Sequence, residues 1–242
     1  NWADFPSVIP MTSDLWAAHW LAKKPGGTYA YDVVMALSQD GGETWSEPFS
    51  PHSDNTKTEH GFVSMFPWRD GVGALWLDGR NMVQDGATDG QDSETEDSGG
   101  GMTLRAALIA PDASIVDEYL VDDLVCDCCQ TDIAIGPGGP IAVYRDRSAS
   151  EIRDIYVSRV IEGQWLEGVG IGSDGWEIAG CPVNGPAIDA VGSDAVVAWF
   201  TSARSVPHVR FARSMDQAAT FSAPINIDTG QPLGRVDVAL LD

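Results

Sequence analysis

The sequence is poor in basic residues. Only 14 lysines and arginines stand against 36 aspartates and glutamates, which gives a formal net charge of −22. Contacts to phosphates need clustered lysine and arginine, so the composition predicts that neither nucleic acid nor an anionic membrane surface is a partner. The acidity itself indicates a solvated surface, as in exported or salt-adapted proteins.

Long apolar runs are also missing. No stretch approaches the ~20 apolar residues that a helix needs to cross a bilayer, so we expect no membrane span. The first ten residues, NWADFPSVIP, have neither an initiator methionine nor a charged-then-apolar pattern. We therefore expect any export signal to lie outside this sequence.

Amphipathic helical patterns are lacking, and short strand-like runs take their place. Runs such as YDVVMALS, VGALWLDG and AVVAWFTS are rich in β-branched and aromatic residues and are punctuated by Gly, Pro, Asp and Ser. A four-strand unit recurs with a period of about 50 residues, which is typical of a β-propeller. The pattern predicts one domain over residues 1–242, with blades at 1–51, 58–123, 126–174 and 181–228 and the first strand of a fifth at 234–242.

Two turns between the third and fourth strands of a unit carry a motif. SQDGGETW fits S-x-D-x-G-x-T-W at Ser38, Asp40, Gly42, Thr44 and Trp45. SMDQAATF keeps that spacing at Ser214, Asp216, Thr220 and Phe221, with Ala218 in place of glycine. The aspartate can cap turn amides, the glycine permits the backbone, and the aromatic residue can pack between blades. Both turns therefore have a structural rather than a chemical role.

The motif resembles the Asp-box of sialidases and related BNR-repeat proteins. The segments CDCCQTD, GCPVNGP and GRVDVALLD resemble a bacterial group of exported sialidase-like proteins. The resemblance implies an all-β, sialidase-type β-propeller of four-stranded blades, of which this chain holds four blades and one strand of a six-bladed ring. It also implies a secreted, periplasmic or cell-surface location. Open blade edges would permit self-association.

In such propellers the substrate pocket lies on the top face, where connections run from strand 4 to strand 1 and from strand 2 to strand 3. A guanidinium fork binds a carboxylate bidentately. By resemblance, arginines on these connections would bind an acidic sugar or another small acidic ligand, and His60 and Asn184 share their face. The arginine candidates are Arg80, Arg145, Arg147, Arg204 and Arg235. The alternative for YRDRSASEIRD is a loop whose arginines pair with its own carboxylates.

Hydrolysis by the sialidase scheme requires an acid and a tyrosine nucleophile, an exception to the usual pair of carboxylates. The candidates here are Asp78, Glu151 and Tyr144. Two departures count against this activity: the opening F/Y-R-I-P motif is absent, and the last tyrosine is Tyr156. The competing hypothesis is a non-catalytic propeller whose top face binds a ligand, a metal or a partner protein.

The acidic stretch at residues 80–101, RNMVQDGATDGQDSETEDSGGG, allows two further hypotheses. It could bind Ca²⁺, although it lacks the ordered spacing of a calcium loop, or it could cover the pocket as a lid. Hydrolysis itself requires no cofactor.

Four cysteines leave the alternatives open. An even count in an exported protein favours disulfides, with Cys181 bridged to Cys126 or Cys128. A ring between Cys128 and Cys129 would instead leave Cys126 for Cys181. The four thiols, with His60, could also bind copper or zinc, or they could remain free.

Overall fold

A computed structural model describes residues 4–82 and 100–241 of the chain. The predictions of a calcium site and of a lid fall on the stretch 80–101, so most of their residues (83–99) lie outside the described part.

The described residues form sixteen strands in four antiparallel sheets. The first sheet contains β1 (Ser7–Pro10), β2 (Trp16–Lys23) and β3 (Tyr31–Ser38). The second contains β4 (His60–Trp68), β5 (Gly71–Asp78), β6 (Thr103–Ile109) and β7 (Ile115–Asp122). The third contains β8 (Asp132–Gly136), β9 (Gly139–Arg145), β10 (Ile155–Ile161), β11 (Gln164–Trp165) and β12 (Val169–Gly170). The fourth contains β13 (Ala187–Val191), β14 (Asp194–Thr201), β15 (His208–Ser214) and β16 (Ile225–Asn226).

Consecutive sheets stack face to face, and three apolar clusters fill the spaces between them. Val33 and Met35 of the first sheet pack with Trp76 of the second. The second and third sheets share one cluster, and the third and fourth share another. Every residue of β5 is buried because both faces of its sheet are covered. This arrangement is that of propeller blades, and the prediction of an all-β fold built from antiparallel sheets is confirmed. The blade number and the closure of a complete ring stay predictions.

The outermost strands differ from the predicted four per unit. In the first sheet the predicted fourth strand, TWSEPFS, is reduced to one bridge between Met35 and Phe49. Pro48 lies within this segment and has no backbone N–H to donate. In the third sheet the predicted strand QWLEGVGI is divided into β11 and β12, both paired with β10. Gly168 lies between them, where a Cβ would come within 1.9 Å of the Tyr144 hydroxyl.

The last described residues form no strand ladder, although an inner strand of a fifth blade was predicted there. Residues 231–241 alternate between exposed and half-buried, as an extended chain does. Leu240 donates its backbone N–H to Asp189 Oδ2 at 2.7 Å, just as Ile188 donates to Asp132 Oδ2 at 2.8 Å. The segment therefore contacts β13 as β13 contacts β8, but no described strand pairs with it along a ladder.

The two turns with the Asp-box spacing have the same hydrogen bonds. Thr44 donates its backbone N–H to Asp40 Oδ1 at 2.8 Å and its hydroxyl to Asp40 Oδ2 at 2.5 Å. In the other turn Thr220 donates to Asp216 in the same way, at 2.9 and 2.6 Å. Gly42 and Ala218 both have positive φ, at 93° and 59°. Trp45, however, is 40% exposed instead of packed between sheets. The Asp-box assignment of these turns stays a prediction.

The only helical elements among the described residues are two 3-10 turns, Arg80–Met82 and Ala203–Ser205. Neither has the length or the apolar character of a membrane-crossing helix.

Candidate active site on the top face

The top face is the end of the sheets at which the inner strands begin. Pairing of Lys23 with Tyr31 and of His60 with Asp78 places the β2–β3 connection, the start of β4 and the end of β5 at this end. The two Asp-box turns lie at the opposite end. In the first two sheets, the predicted connections therefore lie at this end.

Three carboxylates precede three neighbouring inner strands on this face. Asp4 lies before β1, Glu59 directly before β4, and Asp127 before β8. Asp4 crosses to the second sheet, where its Oδ2 accepts the backbone N–H of Phe62 at 2.5 Å. The inner strands β4 and β8 are joined by a hydrogen bond between the hydroxyls of Ser64 and Thr131, at 2.8 Å. The three carboxylates thus lie at the same end of adjoining strands.

Glu59 is the carboxyl group of this set whose pKa is shifted to near neutrality, and burial also raises the pKa of Asp4. Burial, followed by the charges of Asp127 and Asp4, raises the pKa of Glu59 to about 7. Its own backbone carbonyl accepts the N–H of Gly79 at 2.8 Å, which fixes the segment beside the end of β5. A carboxyl group with a pKa near neutrality can act as a general acid.

Asp127 faces two arginines of the loop between β9 and β10. Its carboxylate lies 3.4 Å from Arg147 Nη1 and 3.7 Å from Arg153 Nη1. Glu151 binds the same arginines, at 2.5 Å from Arg147 and 2.8 Å from Arg153. Burial would raise the pKa of Glu151, but the hydrogen bonds from both arginines outweigh it and lower that pKa. The loop is therefore self-paired, and Glu151 is ionised rather than available as an acid.

Asp78 and Arg80 are engaged with each other. Arg80 donates through Nε to Asp78 Oδ1 at 2.8 Å and through Nη2 to Asp78 Oδ2 at 2.7 Å, and it also reaches Glu118 at 2.9 Å. Burial of Asp78 is outweighed by the Arg80 hydrogen bonds and by the charge of His60, which lower the Asp78 pKa. This geometry opposes a role for Asp78 as an acid and occupies the fork of Arg80.

Arg145 is a structural cross-link. It is 2% exposed and donates to the backbone carbonyls of Asn184, Arg153 and Phe200 at 2.6–2.9 Å. Its guanidinium also lies over the ring of Trp176, 4.9 Å from the centroid. The side-chain oxygen of Asn184 accepts the backbone N–H of Arg235 at 3.0 Å. These contacts leave neither Arg145 nor Asn184 free for a ligand.

Tyr144 is fully buried and donates its hydroxyl to Asp122 Oδ2 at 2.6 Å. Burial and the charge of Asp122 raise the pKa of Tyr144 far above its ordinary value. This environment disfavours the phenolate and so opposes the predicted nucleophile role. Burial, followed by the charge of Asp122, also raises the pKa of nearby Asp146 to about 7, and Asp146 forms a bridge with Val125, two residues before Asp127.

Arg204 and Arg235 are the exposed arginines of the predicted set, and no carboxylate pairs with either in the described part of the chain. Arg204 lines an open cleft of about 350 Å³ beside the fourth sheet. In that cleft Arg210 is bound to Asp174, and His208 contacts Asp228. The structure therefore separates the predicted arginines into two exposed groups and three that are already bound.

Cys128 and Cys181 form a disulfide, with a Cα–Cα distance of 5.9 Å. The predicted bridge between Cys128 and Cys181 is therefore present, whereas the alternatives, a Cys126–Cys181 bridge and a Cys128–Cys129 ring, are not. Cys126 and Cys129 are free and buried, with their sulfurs 2.8 Å apart. A hydrogen bond from Cys129, and then the nearby Arg153, lower the pKa of Cys126 despite burial. His60 is not among the cysteine-containing donor groups of the described residues.

Sequence reasoning missed Glu59, Asp127 and Arg153. Glu59 is a single acidic residue in TEHGFV, and its unusual environment arises from residues of two other sheets. The one available signal was position, since Glu59 and Asp127 occupy equivalent places before inner strands of adjacent units.

No protein-family model and no curated protein matches the sequence. Solved structures share the fold at low identity. The α-L-arabinanase of Penicillium chrysogenum with arabinobiose has a TM-score of 0.54 at 13% identity, covering 96% of this chain and 66% of that one. A mutant of the NanB sialidase of Streptococcus pneumoniae has a TM-score of 0.50 at 10% identity, covering 94% and 52%. A polysaccharide lyase, an ulvan lyase, has a TM-score of 0.50 at 11% identity, covering 92% and 55%. The chain thus spans between half and two thirds of these proteins.

Proposed function

We propose that this chain is the glycan-active part of an exported propeller and hydrolyses glycosidic bonds at its top face. The observation that carries the proposal is the placement of Glu59 and Asp127 before adjacent inner strands. Burial, followed by nearby charges, raises the pKa of Glu59 to about 7, and Asp127 faces two arginines. Two proteins of similar fold, a sialidase and an α-L-arabinanase, are named for activity on glycans. The Cys128–Cys181 disulfide supports export, because disulfides are typical of oxidising compartments.

The mechanism assigns different work to the two carboxyl groups. In the two-carboxylate scheme a protonated carboxyl donates its proton to the leaving glycosidic oxygen, while a carboxylate assists attack at the anomeric carbon. Glu59 takes the first role and Asp127 the second. This moves the acid role from Asp78 to Glu59, because Asp78 is bound to Arg80.

An acidic sugar is the substrate class that the exposed arginines favour. Arg204 and Arg235 present unpaired guanidinium groups, and a carboxylate is the group that such forks bind best. On an acidic protein these two groups offer local attraction to an anion.

The test is a screen for reducing-end release from sialylated, uronic-acid and neutral oligosaccharides. We expect turnover that Glu59→Gln reduces at least 100-fold, since a positioned general acid contributes about 10²–10⁴-fold. Glu47→Gln is the matched control, because Glu47 is an exposed carboxyl group beyond the opposite end of the first sheet. Equal activity of the Glu59→Gln and Glu47→Gln variants would refute the assignment.

A second candidate function is carboxylate binding without catalysis, which the free guanidinium of Arg204 in the open cleft favours. Calorimetric titration with an acidic oligosaccharide distinguishes the two. Binding without turnover, lost in Arg204→Met and kept in Glu59→Gln, would support the binding function and count against hydrolysis.

A further inference from the structure

The inner strand β4 contains a β-bulge shortly after Glu59. Phe62 and Val63 together stand opposite Trp76 of β5, where a regular ladder would pair one residue with one. Phe62 has a φ of 54°, which residues other than glycine rarely adopt. Bulges bend a strand and often re-aim side chains next to active sites. The contacts that hold this bulge therefore decide where Glu59 points.

Phe62 is fixed by side chains from either side of β4. Asp4, from the segment before β1, accepts the Phe62 N–H through Oδ2 at 2.5 Å. Thr131, directly before β8, donates its hydroxyl to the Phe62 carbonyl at 3.2 Å. A residue in a strained conformation persists where its surroundings hold it, and such residues cluster at active sites. Asp4 is thus one of two clamps on the bulge.

Gly61 leaves the space that the Asp4 carboxylate occupies. A Cβ at position 61 would come within 2.5 Å of Asp4 Oδ2, although the backbone of Gly61 does not have a positive φ. The glycine is therefore required for the close approach and not for its backbone freedom. Alternate residues of an extended chain point to the same side, so Glu59 projects toward the side on which Asp4 lies. The charge of Asp4 accordingly acts on Glu59.

No basic group neutralises Asp4 in the described part of the chain. Burial raises the pKa of Asp4, and the groups that lower it are the backbone N–H groups of Phe62 and Phe5 rather than a lysine, arginine or histidine. Asp127, the other acidic group that acts on Glu59, is shared with two arginines. Other charged groups where β4 begins and β5 ends are paired with one another: Asp78 with Arg80, and His60 with Asp54. The charge of Asp4 therefore reaches Glu59 without a counter-ion.

We propose that Asp4 is a positioning residue of the hydrolytic site, which clamps the bulge of β4 and fixes the Glu59 carboxyl group opposite Asp127. This inference rests on the proposed role of Glu59 as the general acid. It assigns one carboxyl group from each of three neighbouring units to the site: Glu59 gives the proton, Asp127 assists the attack, and Asp4 orients Glu59. Because a carboxyl group loses its proton less readily beside a negative charge, Asp4 also helps Glu59 to stay protonated.

Asp4→Asn separates the charge from the clamp, because the amide oxygen can still accept the Phe62 N–H. Without the charge, Glu59 gives up its proton more easily. The alkaline limb of kcat/KM should therefore move to lower pH by about half a unit or more, about a threefold change in proton affinity. A purely structural role of Asp4 would not move that limb. Asp14→Asn is the matched control and should leave the limb in place, since Asp14 is exposed in the turn between β1 and β2, at the opposite end of the sheet.

Gly61→Ala tests the clamp without removing a charge. The added Cβ must push the Asp4 carboxylate away from its place beside Phe62. We expect kcat to fall about 10-fold or more with KM little changed, since misplacement by about 1 Å can cost about 10²-fold. Gly230→Ala is its control, because a Cβ at Gly230 would meet no heavy atom of the described residues within 4 Å. Equal kcat values for these two variants would contradict the clamp.

Carboxyl ¹³C NMR of the intact chain, labelled at glutamate, follows the protonation of Glu59 without any substrate. The Glu59 resonance is assigned by its absence from Glu59→Gln. Its titration midpoint should be lower in Asp4→Asn than in wild type and unchanged in Asp14→Asn. Lack of turnover by the wild type would refute hydrolysis. An unchanged Glu59 midpoint in Asp4→Asn would overturn the role of Asp4, whether or not the chain hydrolyses glycans.

Discussion

Reduction of the Cys128–Cys181 disulfide should lower the free energy of unfolding by about 4 kcal/mol. The two cysteines are 53 residues apart and join the third and fourth sheets. In the chain-entropy model, closing a loop of this length removes about 14 cal/mol/K from the unfolded ensemble, which is about 4 kcal/mol at 25 °C. Cys181→Ser is the cleaner substitution because Cys181 is exposed, whereas Cys128 is 3% exposed and contributes to the core.

Urea unfolding followed by tryptophan fluorescence measures this loss. Three samples suffice: the oxidised chain, the same chain in dithiothreitol, and Cys181→Ser in dithiothreitol. The last two should unfold at the same midpoint, well below the first, because both lack the same cross-link. A reduced chain that is less stable than the oxidised one by under about 1 kcal/mol would refute the reasoning.

Three further predictions concern other parts of the molecule. Hydrogen bonds, first from the Thr44 hydroxyl, lower the pKa of Asp40 from 3.8 to about 2. Their contribution to stability is present above pH 3.8 and is lost as the pH falls through 2, so Asp40→Asn should flatten the acid-unfolding curve over that range. Arg145→Met should destabilise the chain by about 3 kcal/mol or more in urea unfolding, since three backbone carbonyls lose their donor; an effect as small as that of replacing an exposed arginine would contradict this. Thiol titration should find Cys126 and Cys129 unreactive in the native chain and count two thiols in denaturant, whereas four would exclude the disulfide.

The strands and their repeat could be read from the sequence because they depend on local pattern. Runs such as VGALWLDG are apolar throughout, and β5 is buried on both faces as that pattern requires. The edge strands could not be read in the same way. Pro48 lies where the predicted fourth strand of the first sheet is reduced to one bridge, and Gly168 lies between β11 and β12, close to the Tyr144 hydroxyl of another strand.

The site was predictable in position but not in chemistry. The repeat placed the arginine loops on one face, yet it could not show that Arg145 is consumed by backbone carbonyls. It also could not show that burial, followed by the charges of Asp127 and Asp4, raises the pKa of Glu59 to about 7. Both facts depend on contacts between sheets, and one sequence without its fold does not contain those distances. His60 illustrates the same limit. The sequence grouped it with the cysteines, whereas in the structure its Nε2 lies 3.1 Å from Asp54 Oδ2.

The pH dependence of kcat/KM for wild type and Glu59→Gln tests the central claim most directly. Two substrates are needed, a natural glycoside and an aryl glycoside whose leaving group requires no proton. Because Glu59 must be protonated to act, the wild-type rate on the natural glycoside should fall as the pH rises through about 7. Glu59→Gln should lose that alkaline limb and should lose far more activity on the natural glycoside than on the aryl one. A variant that keeps the alkaline limb and loses activity equally on both substrates would contradict the role of Glu59.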